Sequence, residues 1–166
     1  MGRIKIITAP ESYEGLSGKF IFLAGTIDNG DSEDWQKEVC DWLKDQVVED
    51  DYVICNPRRA KWNPNAGHDE FIKQIEWELG ALKKSSLIIL NILGTSKSPI
   101  SLLEMGLFKD NPGLRVFCPP EFYRFDNVSV TCREFGISLT TDYSVSDIKK
   151  VISEFMTKKG PIFRMK

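Results

Sequence analysis

A regular alternation of short apolar runs with stretches of helical periodicity is the feature that most constrains the fold of this chain. The runs have strand length and little internal polarity, which is typical of strands buried on both faces of a sheet. Such strands, separated by single helices, pair in parallel through right-handed crossovers. The sequence therefore predicts an α/β domain with an open, mainly parallel sheet and helices on both faces. The predicted strands are Lys19–Ala24, Tyr52–Asn56, Leu87–Ile92 and Leu114–Cys118, and the predicted helices span about 32–49, 69–84 and 102–109.

Length and composition fit one domain. The 166 residues are 42% hydrophobic and 28% charged, close to the globular average and sufficient for a core. We expect one α/β domain at 19–158, an N-terminal extension at 1–18 that adds an edge strand or subunit contacts, and a C-terminal tail at 159–166. Weaker signals predict a loop through Asn127, a short helix near Thr131–Phe135, an edge strand at Ile137–Thr140 and a last helix at about 146–158.

Charge and residue usage exclude several classes of function. The net charge is −2, without the basic excess that binding to a nucleic acid polymer requires. No apolar run reaches the roughly 18–20 residues of a membrane span, and the N-terminus lacks the apolar segment of a signal peptide, so we expect a soluble, cytoplasmic protein. The four cysteines are far apart and the chain has one histidine, His68, which predicts reduced, mostly buried cysteines and no metal site.

The ligand site of such a sheet is expected where the loops gather, outside the carboxyl ends of the strands. This rule selects the segments 25–30, 56–67, 91–101 and 119–127. In the first of them, the backbone N–H groups of Gly25, Thr26 and Ile27 are placed to receive a phosphate, a carboxylate or a hydroxyl. The segment matches neither the dinucleotide fingerprint nor the phosphate loop, so a plain strand-to-helix turn is equally compatible.

Glu78 is predicted to lie on the apolar side of its helix. At ~100° per residue, it falls within the sector occupied by Phe71, Ile75, Leu79 and Leu82. A carboxylate buried in this way has a raised pKa, which suits a general acid or base. Alternatively, the helix is rotated slightly and Glu78 lies at the rim beside Arg58 or Arg59.

Glu104 has two interpretations. With Ser101 it forms the pattern of a capping box, Ser-x-x-Glu, which marks only the start of a helix. The same position puts a carboxylate in the first helical turn beside the expected cleft, where the helix dipole would keep its pKa low. An ionised carboxylate facing a cleft is suited to be a nucleophile.

Together, an ionised carboxylate and a protonated one suit the cleavage of a glycosidic bond. Trp62 and Trp35 either stack on a base or sugar or pack in the core. Arg58 and Arg59 either hold a phosphate or carboxylate of the substrate or form ion pairs with nearby acids.

Five stretches of the chain resemble the nucleoside 2-deoxyribosyltransferase-like family over most of residues 19–140. They are Phe22–Ile27, Asn56–Arg59 with Trp62, Gln74–Glu78, Pro99–Gly106 and Cys118–Val128. The resemblance implies a flavodoxin-like, that is Rossmann-like, α/β domain. It further implies an enzyme that cleaves the N-glycosidic bond of a nucleoside or nucleotide through a covalent glycosyl–enzyme ester, with no metal or organic cofactor.

The resemblance also implies roles for individual residues. Glu104 matches the nucleophile, and Glu78, 26 residues before it, matches the acidic residue that handles the proton of the leaving base. Asn127 matches an asparagine that reaches the active site from a neighbouring subunit, which implies a homo-oligomer. The residues expected to bind the nucleoside or nucleotide and the free nucleobase are Gly25, Thr26, Ile27, Asn56, Arg58, Arg59, Trp62, Ser98, Ser101 and Asn127.

One position departs from the transferase pattern. Ser98, six residues before Glu104, stands where nucleoside transferases tend to carry an aspartate and where related deoxynucleotide N-hydrolases often have a serine. Two enzymatic functions therefore stay open: transfer of deoxyribose to another base, and hydrolysis of deoxynucleoside 5′-monophosphates. A non-catalytic nucleotide-binding module is a third interpretation.

Overall fold

A computed structural model describes residues 1–61, 63 and 65–157, which form a six-stranded sheet between two layers of helices. The strands are β1 (Ile4–Thr8), β2 (Lys19–Gly25), β3 (Tyr52–Asn56), β4 (Ser85–Asn91), β5 (Leu114–Phe117) and β6 (Ser138–Thr140). The helices are α1 (Trp35–Leu43), α2 (His68–Lys84), α3 (Pro99–Leu107), α4 (Phe125–Phe135) and α5 (Val145–Thr157), with a 3₁₀ turn at Asp28–Gly30.

The sheet is open and parallel, as predicted. Its strand order is β1-β3-β2-β4-β5-β6, and every neighbouring pair runs parallel. After β2 the chain moves to one side to form β3, and then crosses back to form β4 on the other side. The topological switch point therefore lies between β2 and β4, where open α/β sheets bind their ligands.

The two faces of the sheet bury separate apolar clusters. On β2, Phe20 and Phe22 point into the cluster beneath α2, α3 and α4, whereas Ile21 and Leu23 point into the cluster beneath α1 and α5. This division follows from the two-residue period of a strand. Helices thus cover both faces, which explains why the strands show almost no polar alternation.

The N-terminal residues add an edge strand to the sheet. Ile4–Thr8 pairs in parallel with Tyr52–Asn56, and Tyr13 packs edge-on against Phe20 and Trp77. An edge strand was one of the two roles considered for residues 1–18. The C-terminal tail predicted at 159–166 lies outside the described residues.

Helices α1 and α4 differ most from their predicted bounds. Helix α1 is shorter than the predicted 32–49, because Asp34 caps it by accepting a hydrogen bond from the N–H of Lys37 at 3.0 Å, and it ends at Leu43. Val47, which lies within the predicted helix, is 77% exposed. Helix α4 begins earlier than predicted, so Asn127 lies in its first turn and not in a loop.

Arg58 fastens the segment between β2 and α1 to the loop that follows β3. Its Nη2 donates to the carbonyl oxygens of Gly30 and Ser32 at 2.9 and 2.6 Å, and its Nη1 donates to that of Glu33 at 3.0 Å. Its Nε lies 3.5 Å from a carboxylate oxygen of Asp34. Because the guanidinium is buried, these bonds replace its contacts with water.

Arg58→Met is expected to lower the free energy of unfolding by ~2–4 kcal/mol, because it removes the charged hydrogen bonds that a buried guanidinium donates to three backbone carbonyls. Urea denaturation followed by circular dichroism measures this change. The matched control is Arg133→Met, since Arg133 is exposed and its ion pair is with the exposed Glu134 at 3.3 Å. The control is expected to cost less than ~0.5 kcal/mol, and equal losses in the two variants would contradict the role of Arg58.

Candidate active site

The turn after β2 and the segment after β4 are joined at the switch point. The N–H of Thr26 donates to the carbonyl oxygen of Asn91 at 2.9 Å, and the N–H of Leu93 donates to Thr26 Oγ1 at 2.9 Å. Gly25 has φ of 135°, and a Cβ at this position would collide with the backbone of Asn91. The glycine is therefore required by the close approach of the two strands.

A cluster of buried hydroxyl groups lies beside this turn. Thr26 Oγ1 and Ser98 Oγ are 2.6 Å apart, and Ser98 Oγ donates to Ser96 Oγ at 2.9 Å. Ser96 Oγ in turn donates to a carboxylate oxygen of Asp28 at 2.9 Å. Ser98 has a left-handed backbone with φ of 45°, and helix α3 begins directly after it. The hydroxyl cluster thus lies at the start of α3.

The predicted capping box at Ser101 and Glu104 is wrong. Helix α3 begins at Pro99, with Ser98 as its N-cap and no side-chain cap bond. Ser101 therefore lies in the first turn and Glu104 in the second turn, where neither side chain reaches the free N–H groups of the helix start. Both side chains are buried.

The low pKa predicted for Glu104 is also wrong. Burial raises the pKa of this carboxyl to about 8, and the negative charge of Glu78 raises it further. The stabilising field of a helix N-terminus falls off within the first turn, so at Glu104 the loss of water dominates. Burial therefore favours the protonated form of Glu104 in the free protein.

Glu78 lies on the inner side of α2, but the apolar stripe predicted around it is partly wrong. Phe71 and Ile75 are 61% and 38% exposed, and the buried residues of the helix are Gln74, Ala81 and Leu82. Burial raises the pKa of Glu78, whereas a hydrogen bond from Gln74 and the positive charge of Arg59 lower it. The sequence predicts two alternative positions for Glu78, on the inner side of α2 or beside an arginine. In the structure Glu78 has both features.

Gln74 connects Arg59 to Glu78. Arg59 Nε donates to Gln74 Oε1 at 2.7 Å, and Gln74 Nε2 donates to Glu78 Oε2 at 2.8 Å. Arg59 also pairs with Glu70 at 2.9 Å. Gln74 is not among the site residues predicted from the sequence, although its spacing of four residues from Glu78 on a helix is a usable signal.

Three residues predicted at the site have structural roles. The guanidinium of Arg58 is engaged by Asp34 and by backbone carbonyls, so it makes the ion-pair contacts of the alternative interpretation. Asn56 accepts a hydrogen bond from the N–H of Arg58 at 3.0 Å. Trp35 is 1% exposed in the core, which is the packing role and leaves no face for stacking.

Asn127 shares a cavity with residues of α3, but neither carboxylate lines that cavity. Asn127 is exposed on α4 and lines this cavity of about 420 Å³ with Leu102, Gly106 and Tyr123.

The carbonyl oxygen of Ile27 accepts a hydrogen bond from Ser32 Oγ at 2.8 Å, within the segment that Arg58 holds. Trp62 lies outside the described residues.

A larger cavity of about 760 Å³ opens at the carboxyl ends of β4, β5 and β6. It is lined by parts of two segments that the strand-end rule selected, around Leu93 and Glu121. Neither Glu78 nor Glu104 contributes to it. The two carboxylates therefore belong to the other face of the sheet, with α2 and α3.

The described residues contain no helix that is both long and apolar enough to span a membrane. Within the same part of the chain, no group of three or more His, Cys, Asp or Glu side chains is arranged to hold a metal ion. All four cysteines are buried and free, as predicted.

Comparison with known proteins agrees with this geometry. The model of a protein family described as "Nucleoside 2-deoxyribosyltransferase like" matches residues 18–122. The matched region contains β2 to β5 and both carboxylates, but ends before Asn127. A search of curated proteins found no match. Because the family model matches more than half of the chain and spans the switch point, this chain belongs to the nucleoside 2-deoxyribosyltransferase-like family.

Proposed function

We propose that this protein cleaves the N-glycosidic bond of a 2′-deoxynucleoside and transfers the deoxyribosyl group to another base. The observation that carries the proposal is the pair formed by the half-buried Glu78 on α2 and the buried Glu104 on α3, whose charges interact, in a chain of this family. Glu104 is the nucleophile, and Glu78 is the acid that protonates the departing base. The reaction passes through an ester between Glu104 and C1′.

The pair holds the one proton that this reaction needs. Near neutral pH one of the two carboxyls is protonated, because two adjacent buried charges repel each other. Transfer of that proton from Glu104 to Glu78 frees the nucleophile. The C1′–O bond then forms as the C1′–N bond breaks, and the base leaves with the proton. In the second half the incoming base attacks C1′, releases Glu104 and returns a proton to Glu78.

The substrate cleft is proposed to lie beside the turn after β2. Its components would be the backbone N–H groups of Gly25–Ile27, the hydroxyl of Ser101 and the surroundings of Glu104. Thr26 and Ser98 shape this region through the hydroxyl cluster. Arg59 contributes through Glu78, and Trp62 stays a proposed contact for the base.

A second copy of the chain is proposed to cover the outer face of α2, α3 and α4. This face exposes many large apolar side chains, which marks an interaction surface. They are Phe71, Ile72, Ile75, Ile100, Leu103, Leu107, Tyr123, Val130 and Phe135. Asn127 is exposed on α4 of the same layer, so a partner packed there would bring its own Asn127 toward the cleft.

The second candidate is hydrolysis of deoxynucleoside 5′-monophosphates. The observation that favours it is Ser98, a buried hydroxyl bonded to Thr26 and Ser96 where the transferases to which the sequence is similar tend to carry a carboxylate. In this version water resolves the ester with Glu104, and a hydroxyl at position 98 accommodates the phosphate better than a carboxylate at that position would.

The test of function is incubation with deoxynucleosides and their 5′-monophosphates, with and without adenine or cytosine, followed by chromatography. New nucleosides that form only with an acceptor support transfer, and free base released from monophosphates without an acceptor supports hydrolysis. Glu104→Ala is expected to reduce turnover at least ~1,000-fold, while Glu154→Ala, at an exposed position of α5, is the control. A melting temperature that ligands raise equally in wild type and Glu104→Ala, without turnover, would support a binding module instead.

The activity is expected to have a bell-shaped pH profile. Above pH values near 8, the pKa of Glu104, the pair loses its only proton and the leaving base is no longer protonated. On the acid side, a second proton binds to Glu78, whose pKa is also raised, and no carboxylate is left to attack. Initial rates measured between pH 4 and 10 check this, and a rate that still rises above pH 9 would contradict it.

Leu107→Glu is expected to dissociate the proposed oligomer and reduce activity at least ~10-fold, because it places a charge on the shared apolar face. Light scattering after size exclusion gives the mass, and the same fractions are assayed. Val47→Glu is the control, since Val47 is 77% exposed but lies beyond α1 and outside that layer of helices. A Leu107→Glu variant with unchanged mass and activity would contradict the proposed oligomer.

A further inference from the structure

The side-chain amide of Gln74 has only one favourable orientation. Arg59 has donors but no acceptor and is always charged, so the atom of Gln74 that faces Arg59 Nε at 2.7 Å must be the carbonyl oxygen. The NH₂ group then faces two acceptors, the carbonyl oxygen of Pro57 at 3.1 Å and Glu78 Oε2 at 2.8 Å. Both N–H groups of the side-chain amide therefore donate a hydrogen bond.

This orientation makes Gln74 a fixed donor toward Glu78. A hydrogen bond from an N–H group stabilises a carboxylate more than a carboxylic acid, because the acceptor carries the charge. Gln74 is buried, with 8% of its surface exposed, so water does not replace this bond readily. The amide cannot titrate, and its preference for the ionised form persists across the pH range.

The charged groups around the pair also favour ionisation of Glu78 over ionisation of Glu104. Arg59 is the positive charge that acts on Glu78, and part of its own charge is balanced by Glu70. The charge that acts on Glu104 is the negative one of Glu78. The two carboxyls therefore have unequal surroundings, although both are largely removed from water.

We infer that Gln74 is a positioning residue that keeps Glu78 the ionised member of the pair and the shared proton on Glu104 until substrate binds, an inference that rests on the proposed function. The same bond lowers the proton affinity of Glu78. Once Glu78 has taken the proton from Glu104, it is a stronger acid toward the departing base than it would be without Gln74. Arg59 acts through Gln74 by holding its carbonyl oxygen.

The test is a carbon-13 NMR titration of the glutamate side-chain carboxyls in the whole protein without ligand. Glu78→Gln and Glu104→Gln assign the two signals. In wild type, Glu78 is expected to ionise at lower pH than Glu104. In Gln74→Met, which keeps the side-chain length but not the donor, the midpoint of Glu78 is expected to rise by about one pH unit, the worth of a charge-assisted hydrogen bond.

The inference is overturned if the midpoint of Glu78 is the same in Gln74→Met and wild type, or if Glu104 ionises first in wild type. Ser85→Ala is the matched control, because Ser85 is buried at the end of α2 and donates to the carbonyl oxygen of Ala81 at 2.8 Å. An equal shift in this control would mean a general effect of loosening α2 and would also overturn it. Gln74→Asn, whose amide is too short to bridge both partners, repeats the test if Gln74→Met does not fold.

The outcome separates this inference from the proposed function. If wild type shows no turnover but the midpoint of Glu78 shifts, Gln74 controls the pair and the proposed reaction is wrong. If turnover is present and the midpoint does not shift, the reaction stands and the role of Gln74 is wrong. If turnover is present and the midpoint of Glu78 also shifts, the acid limb of the kcat/KM profile of Gln74→Met moves to higher pH by the same amount as the NMR midpoint.

Discussion

The parallel pairing of β2 with β4 is the constraint on which the rest of the structure depends. The two strands align over Phe20–Gly25 and Ser85–Asn91, and the crossovers on either side of them lead in opposite directions. The turn after β2 and the segment after β4 therefore meet at a gap that no crossover helix fills. The bonds of Thr26 to Asn91 and Leu93 join the two segments at the base of this gap. Helix α3, which carries Glu104, begins beside it.

Removing two acidic side chains from water is costly, and the fold offsets the cost differently for each. Glu104 avoids it by holding a proton, because an unpaired buried charge would cost several kcal/mol. Glu78 keeps the N–H of Gln74 and the charge of Arg59 as partners. A pair built only for stability would need neither feature, since two apolar side chains would fill the same space at lower cost. The unequal surroundings are therefore consistent with a pair that moves one proton.

Sequence periodicity predicted the four central strands well, but helix ends and helix faces less well. The strands are buried on both sides, so their apolar character appears directly in the sequence. Helix α1 begins at Asp34, whose capping bond depends on one local contact. On α2, hydrophobicity placed Phe71 and Ile75 in the core, yet both are exposed. Apolar periodicity identifies a surface to be covered, but it does not say whether this chain or another copy covers it.

The sequence by itself determined the class of fold and the family, and it supplied the two acidic residues of the proposal, because hydrophobic patterns and motif spacing are local properties of the chain. Only the tertiary structure showed that burial raises the pKa of both carboxyls. It also showed that Arg58 bonds to the segment between β2 and α1 and that Gln74 donates a hydrogen bond to Glu78. These properties depend on burial and on contacts between segments distant in the chain, such as Arg59 with Gln74. A pKa is determined by what surrounds a group in space, and that information is absent until the chain has folded.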